Sequence, residues 1–137
     1  MKWKNRQFGE FEYDEQHVLI FPEGILGFDE FRRYVLVNDE DSQPFRWLVS
    51  LEANDLSLPL IDPRLLVPSY DAGRGLTESS TVLVVATLCE RIEESTVNLR
   101  SPVIIMNGKT GKQVILDEES YAMRHPLFVV PQQTAKG

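Results

Sequence analysis

Apolar and polar positions alternate with a period of two along much of this chain, and that pattern predicts strands. Phe8-Gly9-Glu10-Phe11-Glu12-Tyr13-Asp14 puts aromatics on one face and acids on the other, as a strand with one buried and one wet face requires. Residues 18–21 form an apolar run stopped by Pro22-Glu23-Gly24, where proline removes a backbone donor and glycine permits positive φ. In 27–34, Phe28 and Phe31 stand three apart and Arg32 and Arg33 come late. That spacing suits one short helical turn delivering the chain into a strand at 34–37. After the polar loop 39–44, alternation resumes in 45–51, with Phe45, Trp47, Val49 and Leu51 on one face as a core stripe. Leu58-Pro59-Leu60-Ile61 reads as a short strand near an edge or bulge, because proline cannot donate to a central ladder.

Residues 68–80 turn polar and read as a loop, whereas 81–89 are nearly continuously apolar and β-branched, the best candidate for a central strand. A charged connection at 90–95 leads to strands at 96–99 and 103–106, broken by Pro102. Asn107-Gly108 then supplies hairpin chemistry, since both residues tolerate positive φ, and 113–116 return as a strand. With almost no amphipathic helix, the fold class is all-β. About eight or nine short, mostly antiparallel strands in a small single domain, with at most one or two short helical turns, argue for a barrel or a sandwich. One domain is expected over residues 1–130, with 131–137 a flexible tail.

Composition narrows the function classes. A chain of 137 residues, 42% hydrophobic and 26% charged, can bury one core without disulfides or metal. The longest apolar runs fall far below the roughly 20 residues of a membrane helix, and the N-terminal residues open no signal-type segment. The expectation is a cytoplasmic protein with no membrane partner. Cys89, the single cysteine, fits a reducing compartment, and its apolar setting favours a buried small hydrophobe over a reactive thiol. Twenty-one acids against fourteen bases give a net charge of −7, which disfavours direct nucleic-acid binding. Residues 8–31 hold Glu10, Glu12, Asp14, Glu15, Glu23, Asp29 and Glu30 without one Lys or Arg before Arg32. A solvated face that aids solubility is the plainer reading; a face that meets a basic partner is the other.

Catalytic chemistry finds little to build on. His17 and His125 stand far apart, and neither has metal-ligand spacing. Residues 107–113 look superficially like a phosphate loop, but the spacing and the following helix are missing. None of the serines sits in a nucleophile elbow, and Glu93-Glu94 and Asp117-Glu118-Glu119 lie in charged, turn-like surroundings. A protein without enzymatic activity, metal or cofactor is therefore expected. Asp62 beside Pro63 suits a turn acceptor, and Asn98 within a strand suits the same role across it. Arg124-His125-Pro126 suits equally a recognition element and a brace for the C-terminus.

Several blocks, taken in order, carry a family resemblance. Phe21-Pro22-Glu23-Gly24-Ile25-Leu26-Gly27-Phe28, Ile61-Asp62-Pro63, Thr96-Val97-Asn98-Leu99-Arg100-Ser101-Pro102-Val103-Ile104-Ile105, Gly111-Lys112-Gln113-Val114 and Tyr121-Ala122-Met123-Arg124-His125-Pro126-Leu127 resemble the flagellar assembly factor FliW family. The resemblance implies a small cytoplasmic β-barrel without catalysis, monomeric when free. It also implies two partners, flagellin and the translational regulator CsrA, whose repression of flagellin mRNA would be relieved allosterically. The candidate partner-binding residues are Glu23, Gly24, Phe28, Asp62, Tyr70, Asn98, Arg124 and His125, of which Gly24, like Gly27, is first a conformational residue. The chain departs from the family between Tyr70 and Thr81, where it is short and glycine-rich instead of carrying a longer acidic insertion, and at 90–95, which lack the usual prolines. Two other readings stay open: a small barrel binding nucleic acid through exposed aromatics, and a small hydrolase using His125 with a nearby carboxylate.

Overall fold

The computed structural model describes residues 1–72, 76, 79–116 and 121–127. They contain strands β1 (Lys2–Asn5), β2 (Gly9–Glu12), β3 (Leu19–Ile20), β4 (Arg33–Asn38), β5 (Arg46–Ser50), β6 (Ser57–Ile61), β7 (Ser80–Thr87), β8 (Thr96–Val97), β9 (Val103–Met106), β10 (Thr110–Gln113) and β11 (His125–Pro126). Seven of them close a barrel in the order β7-β6-β5-β4-β3-β10-β9, with β9 pairing back onto β7. Every pairing in that ring is antiparallel except β3 with β10. Strands β8 and β11 continue the sheet from β7, and β1 and β2 form a separate hairpin. The all-β fold expected from the pattern forms, and of barrel and sandwich it is the barrel that the family resemblance implies. β1 and β11 are additions to it: β1 is a four-residue strand dominated by lysines, and β11 is two residues, one of them proline, too little for a period to show.

Through β4, β5, β6, β7 and β9 much of the barrel wall is buried on both faces, which explains their mixed periodicity, whereas β3 and β10 keep one face in water at Ile20, Thr110 and Lys112. Leu19, Phe21, Tyr34, Leu48, Leu60, Leu83, Val103 and Ile105 fill the interior. Outside, the hairpin lays Trp3 and Phe11 over Val35, Val49 and Leu51, while Tyr70, Ala72, Leu99 and Leu127 cover Ile61, Val84, Ala86 and Val97. The β5 stripe therefore lies in the outer cluster beneath the hairpin, and Leu48 on the opposite face is the interior residue. Phe45 leaves the stripe and packs with the second outer cluster. β7 earns its central place by bordering β6, β8 and β9. Pro59 lies in the part of β6 that β7 does not pair, so its missing N–H leaves no gap in that ladder. The Asn107-Gly108 turn forms, with φ of 57° and 65° and Lys109 N–H donating to Met106 C=O. The return strand comes early, at β10 rather than 113–116, because the tight turn pairs Thr110 directly with Met106; within it Gly111 passes against the Phe21 ring, where a side chain would not fit.

The helical expectation needs correction. Four 3-10 turns occur among the described residues, at Glu15–His17, Glu40–Ser42, Pro63–Leu65 and Ile92–Glu94, instead of one or two. Three begin because Asp14, Asp39 and Asp62 accept the N–H two residues on, local chemistry that a search for apolar periodicity overlooks. The turn expected at 27–34 is not helical. It is a chain of tight turns in which Phe28 N–H donates to Ile25 C=O and Phe31 N–H to Phe28 C=O. The boundary at 130 and the tail 131–137 lie outside the described residues, as do Gly73, Gly75 and Asp117-Glu118-Glu119. No described helix is long and apolar enough to cross a membrane.

Candidate functional site at the barrel mouth

Alternation along β7 points Leu83, Val85 and Thr87 inward, and the last of these pairs with Thr96 of β8 where the sheet runs past the ring. A cleft of 520 Å³ opens there, with Leu58, Val85, Thr87 and Thr96 in its wall. Ile25, Leu26 and Phe28 from the β3–β4 connection form one rim, and Met123 and Arg124 form another. Leu26 is 52% exposed and Met123 56%, so two large apolar side chains stand in water beside the opening.

The rim is held by an excursion of the β8–β9 strand. Between Ala86↔Val97 and Leu83↔Val103, two residues of β7 face five of the other strand, so the chain there must leave the ladder. Asn98 Oδ1 accepts the N–H groups of Arg100 and Ser101, both at 3.1 Å, and fixes the turn. The displaced backbone groups find partners elsewhere: Leu99 C=O accepts the Tyr70 hydroxyl at 2.6 Å, and Leu99 N–H donates to Ala122 C=O at 3.0 Å. Arg100 Nε donates to Tyr121 C=O at 2.9 Å. Gln113 joins excursion and rim, donating through Nε2 to Ser101 C=O and accepting Leu26 N–H on Oε1, both at 2.8 Å. Burial, with Tyr121 alongside, pushes the Tyr70 phenol up to about 12.

The structure divides the sequence-derived candidates. Phe28, Asn98 and Arg124 line the cleft, and Glu23 and Gly24 line a smaller adjoining hollow that shares Ile25, Leu26 and Gln113 with it. Gly24 is conformational: its φ is +73°, and a Cβ there would overlap the Asp29 backbone. Asp62 is exposed but occupied as the cap of its 3-10 turn, accepting Arg64 N–H at 2.9 Å. Tyr70, 2% exposed, is a core brace whose hydroxyl is used inside, on Leu99 C=O. Arg124-His125-Pro126 splits between its two readings. His125 pairs with Val97 and Pro126 with Thr96, whereas Arg124 is exposed at the cleft and has no ion-pair partner among the described residues. Cys89 corrects an expectation: it is half-buried and lines the cleft, because β7 ends at Thr87 before the apolar run does.

Leu26, Gln113 and Met123 escaped the sequence reading. For Leu26 and Met123 the available signal was an apolar residue set in a turn-forming segment with no strand to bury it; Gln113, a polar residue in a strand, gave none. The aromatics that a nucleic-acid reading would expose, Phe45 and Trp47, are packed, the latter edge-on to Phe8 at 5.7 Å.

These features define a class: a closed seven-stranded barrel with an outer hairpin and a two-strand extension at its mouth. A solved structure described as "Crystal structure of the flagellar assembly factor FliW" shares it with a TM-score of 0.85 and 29% identity, over 96% of this chain and 99% of that one. The chain belongs to the FliW family, whose family model, described as "FliW protein", matches residues 2–127. Relatives named "Flagellar assembly factor FliW" include one from Natranaerobius thermophilus, 36% identical over all of this chain and 99% of its own length. Another, from Thermosipho africanus, is 37% identical over 90% of this chain and 93% of its own. A third, from Caldanaerobacter subterraneus subsp. tengcongensis, is 34% identical over 93% of both. Membership supports a role in flagellar assembly, and these relatives are named as assembly factors, not enzymes.

Proposed function

We propose that this protein is a cytoplasmic flagellar assembly factor that binds flagellin and antagonises CsrA, so that free flagellin level sets the translation of flagellin mRNA. The observation that carries the reading is the family match across residues 2–127. The barrel mouth supports it in kind: exposed Leu26 and Met123 beside Phe28 offer apolar contact to a protein segment, and Arg124 adds one unpaired charge for register. A net charge of −7 suits docking on a basic regulator and would repel the phosphates of an RNA competing for it. Binding away from the RNA surface would make the antagonism allosteric. No group transfer is involved in this reading.

Titration calorimetry of the purified protein with flagellin and, separately, with CsrA should give saturable binding in both cases. No affinity for either partner would falsify the reading. A further comparison locates the site: Met123→Asp should weaken at least one complex while leaving the melting temperature unchanged, because Met123 is exposed.

A further inference from the structure

The hairpin carries a second feature, apart from the barrel mouth. Among the described residues β2 is paired on one edge only, to β1, with Lys2 opposite Glu12 and Lys4 opposite Glu10. Phe11 pairs with Trp3, and Tyr13 N–H donates to Met1 C=O, so these odd positions bond toward β1. The backbone groups of Glu10 and Glu12 then point to the other edge, and none of them has a backbone partner among the described residues. Beside β2 lies a groove of 560 Å³ over the outer face of β4, floored by Val35 and Val37 and walled by Phe8, Phe11 and Tyr13. Its rim holds Glu12, Asp14, Asp39 and His17, and no described Lys or Arg lines it.

We propose that this groove is a strand-addition site for an extended segment of another protein that alternates apolar and basic residues. Both periods come from the hairpin. A strand added to β2 shares its pleat, so its apolar side chains fall on the Phe11 face, into the groove, and its alternate residues stand beside Glu10 and Glu12. Lysine or arginine at those positions turns a like-charge penalty into attraction. The acids have a second effect: they discourage an unselected strand, including one with acidic side chains, from pairing with an open edge. Nucleic acid and anionic lipid are both repelled by the same rim. The inference does not depend on flagellin or CsrA being the partner, and its probe is neither of them.

The test uses the full chain with a fluorescein-labelled eight-residue peptide alternating Lys and Val, a peptide of the same composition with the lysines and valines in two blocks, and a Glu–Val alternating peptide. The alternating Lys–Val peptide should bind best, shift the amide resonances of Glu10, Glu12, Val35 and Val37, and slow hydrogen exchange at Glu10 and Glu12. Glu12→Lys, a change at an exposed position, should lower its affinity by about three- to tenfold while near-UV dichroism shows the fold intact, although the new lysine faces Lys2 across the hairpin. Equal binding of the block peptide overturns the proposal, as do shifts confined to the barrel mouth or unchanged affinity in the Glu12→Lys variant. Self-association of the protein through β2, seen by sedimentation and abolished by Glu12→Lys, would assign the edge to a second copy and overturn it too.

Discussion

Two buried tyrosines make opposite predictions from the same physics. Tyr70 donates to Leu99 C=O at 2.6 Å, and no other described donor reaches that carbonyl. Tyr70→Phe strands a buried acceptor in the excursion that shapes the barrel mouth, a loss of about 1–3 kcal/mol. For a domain of this size that lowers the melting temperature by about 3–10 °C. Tyr34 is fully buried, packed edge-on to Phe21 at 5.3 Å, and its hydroxyl has no partner among the described residues. Tyr34→Phe removes a polar group that is buried at a cost, so stability should stay level or rise by up to about 2 kcal/mol. Urea unfolding of both variants, followed by tryptophan fluorescence and near-UV dichroism, measures the contrast, with m unchanged if the denatured state is unaffected. A Tyr34→Phe variant that loses as much as Tyr70→Phe would refute the reasoning, since it would mean that ring fit outweighs hydroxyl satisfaction. Alkaline titration gives a second reading. Burial raises both phenols from 10.0 to about 12, aided by Glu52 and Glu30 at Tyr34 and by Tyr121 at Tyr70. Between those values the native state holds protons the unfolded state has released, so stability is complete below pH 10 and falls as pH rises toward 12. Each tyrosine contributes a slope of up to about 1.4 kcal/mol per pH unit, and each Phe variant should remove its share.

Other outcomes follow from the same geometry. Gly24→Ala should cost about 2 kcal/mol or more in denaturant unfolding, because positive φ and overlap with Asp29 combine. Gly27→Ala, at φ +87° with open space around it, should lose only the backbone part, about 1 kcal/mol. Asn98→Ala removes the acceptor for two N–H groups and should destabilise the protein by about 1–2 kcal/mol; Asn98→Asp, which keeps the acceptor, should recover most of that. Arg124→Glu should leave thermal stability unchanged and alter binding of flagellin or CsrA in calorimetry, whereas His125→Ala, within β11, should lower stability before it changes affinity.

How the residues divide between fold and site shows what the chain alone reveals. Period-two alternation and turn residues are local facts, so the sequence determined the strand content, the Asn107-Gly108 hairpin and the edge character of Pro59. It determined the family as well, through ordered blocks that hold, among other residues, Asn98 and Gln113, which brace the β8–β9 excursion and the β3–β4 turns. It could not separate brace from contact. Tyr70 and Arg124 stood as equal candidates in the sequence, and only the tertiary structure buries one and exposes the other. Local periodicity left barrel and sandwich both open: β7 meets β9 and β10 meets β3 across long stretches of chain, and no local period encodes which edges meet. Burial on both faces of β5 blurred inward and outward there. The cleft at the mouth exists only because the ring closes and β8 overshoots it, bringing Phe28, Asn98 and Arg124 to one opening.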